Sequence, residues 1–334
     1  DADGVYQHAF GENGAGPGQF GNLIGPCLEG PGDSLFIPDL QNNRFNRFAR
    51  DGSFGGSFMI NILEGFPVGW DVMPDGRPVQ QLRFFFGLPG GSGAQFGDSL
   101  QILVAREADG SARDTLLVFP AGGTISMTLG QGRGAVIVFF AREPSWAVMD
   151  DGGLLYGMND EYRIKVFDEN GNLERIIAKP FDPEPVGEAD REIVRAATLD
   201  FWSAGGIPEY LLEQLAENVR FAETFPAYHR FLTGPQRSTW VQRVARPTEL
   251  SEEELRYFSA ALANVEALLT DPHLAMGSRE WDVFDADGRL LGVVTMPQPF
   301  RPWTFVGDEV YGVWQDDVGV EYVARLKVVE GRGL

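Results

Sequence analysis

The sequence predicts an all-β chain in which one kind of sheet is repeated, with a helical insertion. Three observations predict it. The phrase Trp-x-Val-Met-x-Asp-Gly occurs at Trp70–Gly76 and again at Trp146–Gly152. An apolar strand, a short acidic turn with glycine and a second apolar strand recur at 44–54, 163–173 and 281–291. Glycine (42) and proline (21) are spread along all 334 residues, as many turns require, and are not collected in one tract.

The repeats justify the elements in order. A short alternating apolar run that ends in an Asp-Gly turn is a strand entering a hairpin. Trp70–Gly76 and Trp146–Gly152 are two such strands, and WTFVGDE at 303–309 is a looser copy. In the second pattern the anchor pairs are Phe48 with Gly52, Phe167 with Gly171, and Phe284 with Gly288. LVAREADGSARDTLLVF at 103–119 reads as a fourth copy with a wider turn. VIVFFA at 136–141 reads as a buried strand, too short to span a membrane.

Head and tail carry complementary halves of this unit. DADG opens the chain and returns at 285–288, while RLKVVEGRGL at 325–334 aligns with the first strand and turn of RIKVFDENGNL. The N-terminal strand is therefore expected to pair with the C-terminal sheet and close a ring. A ring of four-stranded antiparallel sheets is a β-propeller, which hides its strand edges by radial repetition. Units fall at about 20–60, 66–120, 130–178 and 228–297, with a fifth made of 301–334 and 1–10. A single propeller domain over 1–334 is expected, with five countable blades.

The period changes in two places. At 182–225, Leu211, Leu212, Leu215 and Val219 follow helical spacing. At 248–272, Ser251 and Glu254 form a capping box ahead of the stripe Leu255, Phe258, Leu262, Val265 and Leu269. Both are expected as helical insertions whose stripes pack on the propeller rim, or which cap one of its faces.

GENGAGPGQF at 11–20, followed by SLFIPDLQNNRFNRFARDGSF at 34–54, resembles an NHL-type repeat. The matching positions are Gly16, Pro17, Gly18, Phe20, Asp39, Asn42 and Arg44. The remainder, notably WDVFDADGRLLGVVTMP and VYGVWQDDVGVEYVARLKV, is similar to bacterial secreted six-bladed propellers of the NHL/TolB-like kind. The resemblance implies a six-bladed family fold and an extracytoplasmic place, periplasmic or secreted. Asp39, Asn42 and Arg44 are expected to bond strand ends and turn backbones, since buried polar groups need partners.

A net charge of −21 repels phosphate backbones and argues against nucleic-acid binding. His8, His229 and His273 lie far apart, without metal-ligand spacing, and Cys27 in GPCLEGPG has no local base, so it reads as a packed or loop thiol. No Gly-x-Ser-x-Gly elbow and no P-loop occur, and GLPGGSGAQFG at 87–97 reads as a hairpin loop. No catalytic residue, metal ligand or cofactor is assigned. Phe85 and Phe86 in RFFF, with Phe201 and Trp202, are the candidate anchors for a protein partner.

The expected function is a non-catalytic interaction or scaffold subunit, docked on a larger membrane-associated assembly and without a transmembrane segment of its own. The alternative is a hydrolase or lyase with a channel metal, as the resemblance to propeller enzymes implies. A propeller that binds a small ligand or glycan is a third reading.

Overall fold

A computed structural model describes residues 5–6, 8–21, 27–61, 64–83, 100–107, 113–122, 124–129, 132–204, 206, 208–216, 219–252, 254–255, 277–316 and 320–328. By contacts the chain divides into two compact units, Asp1–Ala121 and Gly122–Leu334.

The fold is all-β and of propeller type, with five blades among the described residues. Each blade is an antiparallel meander of consecutive strands: 28–59 and 66–120 in the first unit, then 144–178, 231–295 and 300–327 in the second. The first four blades have four strands and the last has three. Within each unit the first strand of one blade adjoins the first strand of the next. Leu28–Gly30 lies beside Phe66–Val72, and Pro144–Val148 and Phe300–Val306 flank Phe231–Gly234.

The blades bury their faces against one another, which is why alternation places apolar residues on both sides of the middle strands. In the first unit Phe36, Phe45 and Phe58 meet Val72 and Trp70 of the next blade. In the second unit Ile164, Val166 and Ile177 pack with Tyr228, Val241 and Phe284. On the other side of the same blade, Trp240, Trp281 and Val283 pack with Phe300 and Val310.

The repeated turns share one geometry. The amide of Gly52, Gly76, Gly152, Gly171 or Gly288 donates to the carbonyl three residues earlier, at 2.8–3.0 Å. All five glycines have φ between +78° and +90°, where a side chain is strained. The outer strand then bulges at the same place in three blades, opposite Phe48, Phe167 and Phe284. Both sequence patterns therefore encode the same turn. At 303–309 the turn is tighter, with Val306 paired directly to Glu309.

Two expectations need correction. The unit placed at 130–178 begins at 144. Strands Thr124–Leu129 and Gly132–Phe139 form a separate hairpin, and the second of them pairs in parallel with Arg220–Phe221. The helical run expected up to 225 stops at Ala216, because the chain must extend to join that strand. The helices are α1, Glu188–Ala204, and α2, Glu209–Ala216. The 300–327 blade holds three strands among the described residues.

Of the stripe expected in the first insertion, Val219 is in a described core cluster, and the side chains of Leu211 and Leu215 lie outside the description. Val186, Val194 of α1 and Val219 join Phe139, Phe140 and Phe225 in one cluster. In the second insertion residues 252, 254 and 255 are helical, and the rest of the predicted helix lies outside the described residues. The capping box forms: Glu254 N donates to Ser251 Oγ at 3.2 Å, and Ser251 N donates to Glu254 Oε2 at 2.9 Å.

Candidate functional site

Phe85 and Phe86 lie outside the described residues, and Phe201 and Trp202 sit on α1, with side chains outside the description. Cys27 is an exposed loop thiol. His229 is buried, and its backbone amide bonds the Gln242 carbonyl at 2.8 Å. Asp39, Asn42 and Arg44 do what the repeat implied. Arg44 donates to the carbonyls of Ala15 and Gly16, both at 2.9 Å, and Asn42 Nδ2 donates to Asp39 at 2.8 Å. These residues pin the 14–21 loop to the first blade.

The site that does assemble is a cleft of about 850 Å³ within the second unit. It lies at the strand ends shared by three blades. The 144–178 blade brings Tyr162 and Lys179, and the 231–295 blade brings Arg230, Arg243 and Asp282. The 300–327 blade brings Phe300 and Arg301. Both helical insertions leave the blades at this end, after Ala178 and after Val244. They are tied to each other there: Thr248 Oγ1 donates to Asp190 of α1 at 2.8 Å, and Arg246 pairs with Glu184 at 2.6 Å.

Asp282 is the hub. It stands on Gly277–Phe284 between Trp281 and Val283, so alternation points it away from their apolar cluster and toward the 144–178 blade. Its carboxylate is fully buried and takes four donors. Tyr162 Oη (2.7 Å) and Lys179 Nζ (3.0 Å) donate to Oδ2, while Arg243 Nε (3.0 Å) and Nη2 (2.8 Å) donate to Oδ1. Lys179 also lies over the Tyr162 ring. Burial alone would raise the Asp282 pKa, but the bonds from Tyr162, Lys179 and Arg243 outweigh it and hold the carboxyl below its ordinary value.

The neighbours follow the same logic. Burial first, then the bond to Asp282, pushes the Tyr162 phenol far above its ordinary range, so it remains a donor. The Arg243 guanidinium is raised: burial opposes its charge, but Asp282 and Glu280 more than compensate. Arg246 is raised mainly by its bond to Glu184. Glu254 is lowered, first by its cap bond from Ser251. Arg230 bonds Gln242 Oε1 at 3.0 Å and the Pro302 carbonyl at 2.8 Å, and lies over the Trp281 ring. Among the described residues, no group of three or more His, Cys, Asp or Glu is placed to hold a metal ion. No helix among them is long and apolar enough to cross a membrane.

Sequence reasoning passed over this cleft because its parts come from distant positions. One signal was present: an aspartate inside the apolar run WDVF, which needs partners if the strand is buried on both faces.

No family model matches the chain, and no curated protein matches it. Several solved structures resemble it. A member of the DUF4221 family from Bacteroides vulgatus is 9% identical, with a TM-score of 0.45, over 94% of this chain and 81% of that one. Virginiamycin B lyase from Staphylococcus aureus is 9% identical, with a TM-score of 0.34, over 92% and 71%. Kuenenia stuttgartiensis hydrazine synthase is 11% identical, with a TM-score of 0.38, over 92% and 68%. At such scores these likenesses add nothing to the function, and the fold rests on the sheets themselves.

Proposed function

We propose that this chain is a non-catalytic propeller that holds a protein partner in the cleft of its second unit, as a scaffold subunit. One observation carries the reading. The ionisable groups of the cleft are held by one another: Tyr162, Lys179 and Arg243 donate to Asp282, Arg246 pairs with Glu184 and Arg279 with Glu254, and the shifts at Tyr162, Asp282, Arg243, Arg246 and Glu254 all run away from neutral pH. A general acid or base works best with a pKa near the working pH. These groups instead hold fixed charges and fixed donors, as recognition requires.

The finer features of this proposal rest on the sequence. They are the NHL-like family with its six-bladed fold, an extracytoplasmic location and docking on a membrane-associated assembly. The single domain over 1–334 and the ring closed by head and tail rest on the complementary repeats at 1–10 and 325–334.

The test is gentle isolation of the tagged chain from its source, beside Arg243→Glu. A stoichiometric protein partner, lost in the variant, is expected. A free monomer with a hydrolase or lyase activity that a chelator removes would establish the metal-dependent enzyme instead.

A further inference from the structure

The cleft's ion pairs are asymmetric. Lys179, Arg243, Arg246, Arg279 and Arg301 have side chains 34–37% exposed. Several of their carboxylate partners stand outside them. Glu280, Glu184, Glu249 and Glu321 are 48–65% exposed. An exposed pair of this kind is worth at most about 1 kcal/mol, so exchanging its carboxylate for another costs little. At the hub two cations, Lys179 and Arg243, share the one buried carboxylate of Asp282. One positive charge is left there, and among the described residues the exposed Glu280 balances it. Phe181, Leu250 and Pro299, each part-exposed, line the cleft with these charges.

We propose that the cleft holds an acidic peptide segment of the partner, with one of its carboxylates replacing Glu280 on Arg243 and an apolar side chain against the part-exposed Leu250 and Pro299. This inference rests on the scaffold reading and names the chemistry of the partner at that site. The acidic surface of the chain repels such a segment at long range. At 0.15 M salt the screening length is about 8 Å, so the cleft decides.

The test titrates the full chain with the peptide Glu-Glu-Phe-Glu-Glu, its all-glutamine counterpart and inorganic phosphate, by calorimetry at 0.15 M salt. The acidic peptide is expected to bind and the glutamine peptide not. Arg243→Gln weakens binding about tenfold, the scale of a charge-assisted contact. Glu280→Gln, at an exposed position with no bearing on folding, removes the competitor and tightens binding about threefold. Glu169→Gln, on the distant 168–171 turn, leaves binding unchanged.

The proposal is overturned if Glu280→Gln leaves affinity unchanged or lowers it, or if phosphate displaces the peptide at equal concentration, which would make this a small-anion site. If a partner co-isolates but binding ignores Arg243 and Glu280, this inference alone fails. If no partner co-isolates while the peptide ranking holds, the scaffold reading fails and the site stands.

Discussion

At the scale of the residue, Asp282 decides the most. A buried carboxylate is costly unless its charge and lone pairs are matched, and here four donors match it. Asp282→Asn is expected to lower stability by about 2–3 kcal/mol at pH 7, read by urea unfolding. The figure is toward the low end for a broken buried pair, because Lys179 and Arg243 can turn to water. The loss is pH-dependent. The Asp282 pKa is depressed on folding, so its contribution is complete above the ordinary value of 3.8 and fades as the pH falls toward the folded value. The gap between wild type and Asp282→Asn therefore narrows below about pH 4. A gap of constant size from pH 7 to pH 3 would show that the carboxylate charge is not what holds the hub. Tyr162→Phe removes one of the four donors and is expected to cost about 1.5 kcal/mol, a gap that also narrows at acid pH as Asp282 takes up a proton. Little of this was legible beforehand. WDVF announced a strand, but Tyr162, Lys179 and Arg243 reach Asp282 across 120, 103 and 39 positions of sequence.

At the scale of the element the sequence was far more legible, because turns are local. Gly52, Gly171 and Gly288 were recognised from spacing, and each occupies the same left-handed turn. Two alanine substitutions separate the reasons a glycine is needed. At Gly171 φ is +78° and nothing lies within 4 Å of where a Cβ would stand. Gly171→Ala therefore tests backbone conformation alone and is expected to cost about 1 kcal/mol. At Gly157 φ is ordinary, but a Cβ would come within 2.2 Å of Tyr228 Oη and 2.9 Å of the Arg163 carbonyl. Gly157→Ala is expected to cost about 2–3 kcal/mol, because the blade face must shift to admit it. Chemical denaturation of both variants checks the order, and equal costs would mean that the 157 face is looser than drawn. The misread elements share a cause. PEYLLEQLAENVRFAETF carries a helical stripe, yet Arg220–Phe221 within it is drawn into a strand by the edge of Gly132–Phe139, a tertiary effect that periodicity does not register. The hairpin at 124–139 was merged with the next blade for the same reason: both are apolar alternating runs, and only pairing tells them apart.

At the scale of the whole molecule, repetition makes the number of sheets readable but leaves their closure to be tested. Each blade buries one face on its neighbour, so the array gains cooperativity as blades are added. If head and tail close the ring as the repeats imply, the chain has no free end at which unfolding can start. The two units would then melt together. The test uses one substitution in each unit. Arg44→Ala removes the bonds that hold the 14–21 loop to the first blade. Asp282→Asn loosens the hub in the second. Scanning calorimetry of a closed ring is expected to show one transition, lowered by either variant and lowered further by both. An open array would show two transitions, with Arg44→Ala moving one and Asp282→Asn the other. That pattern would remove the single-domain reading and the closure with it. The blades, the turns and the cleft would stand, since each is described within its own unit.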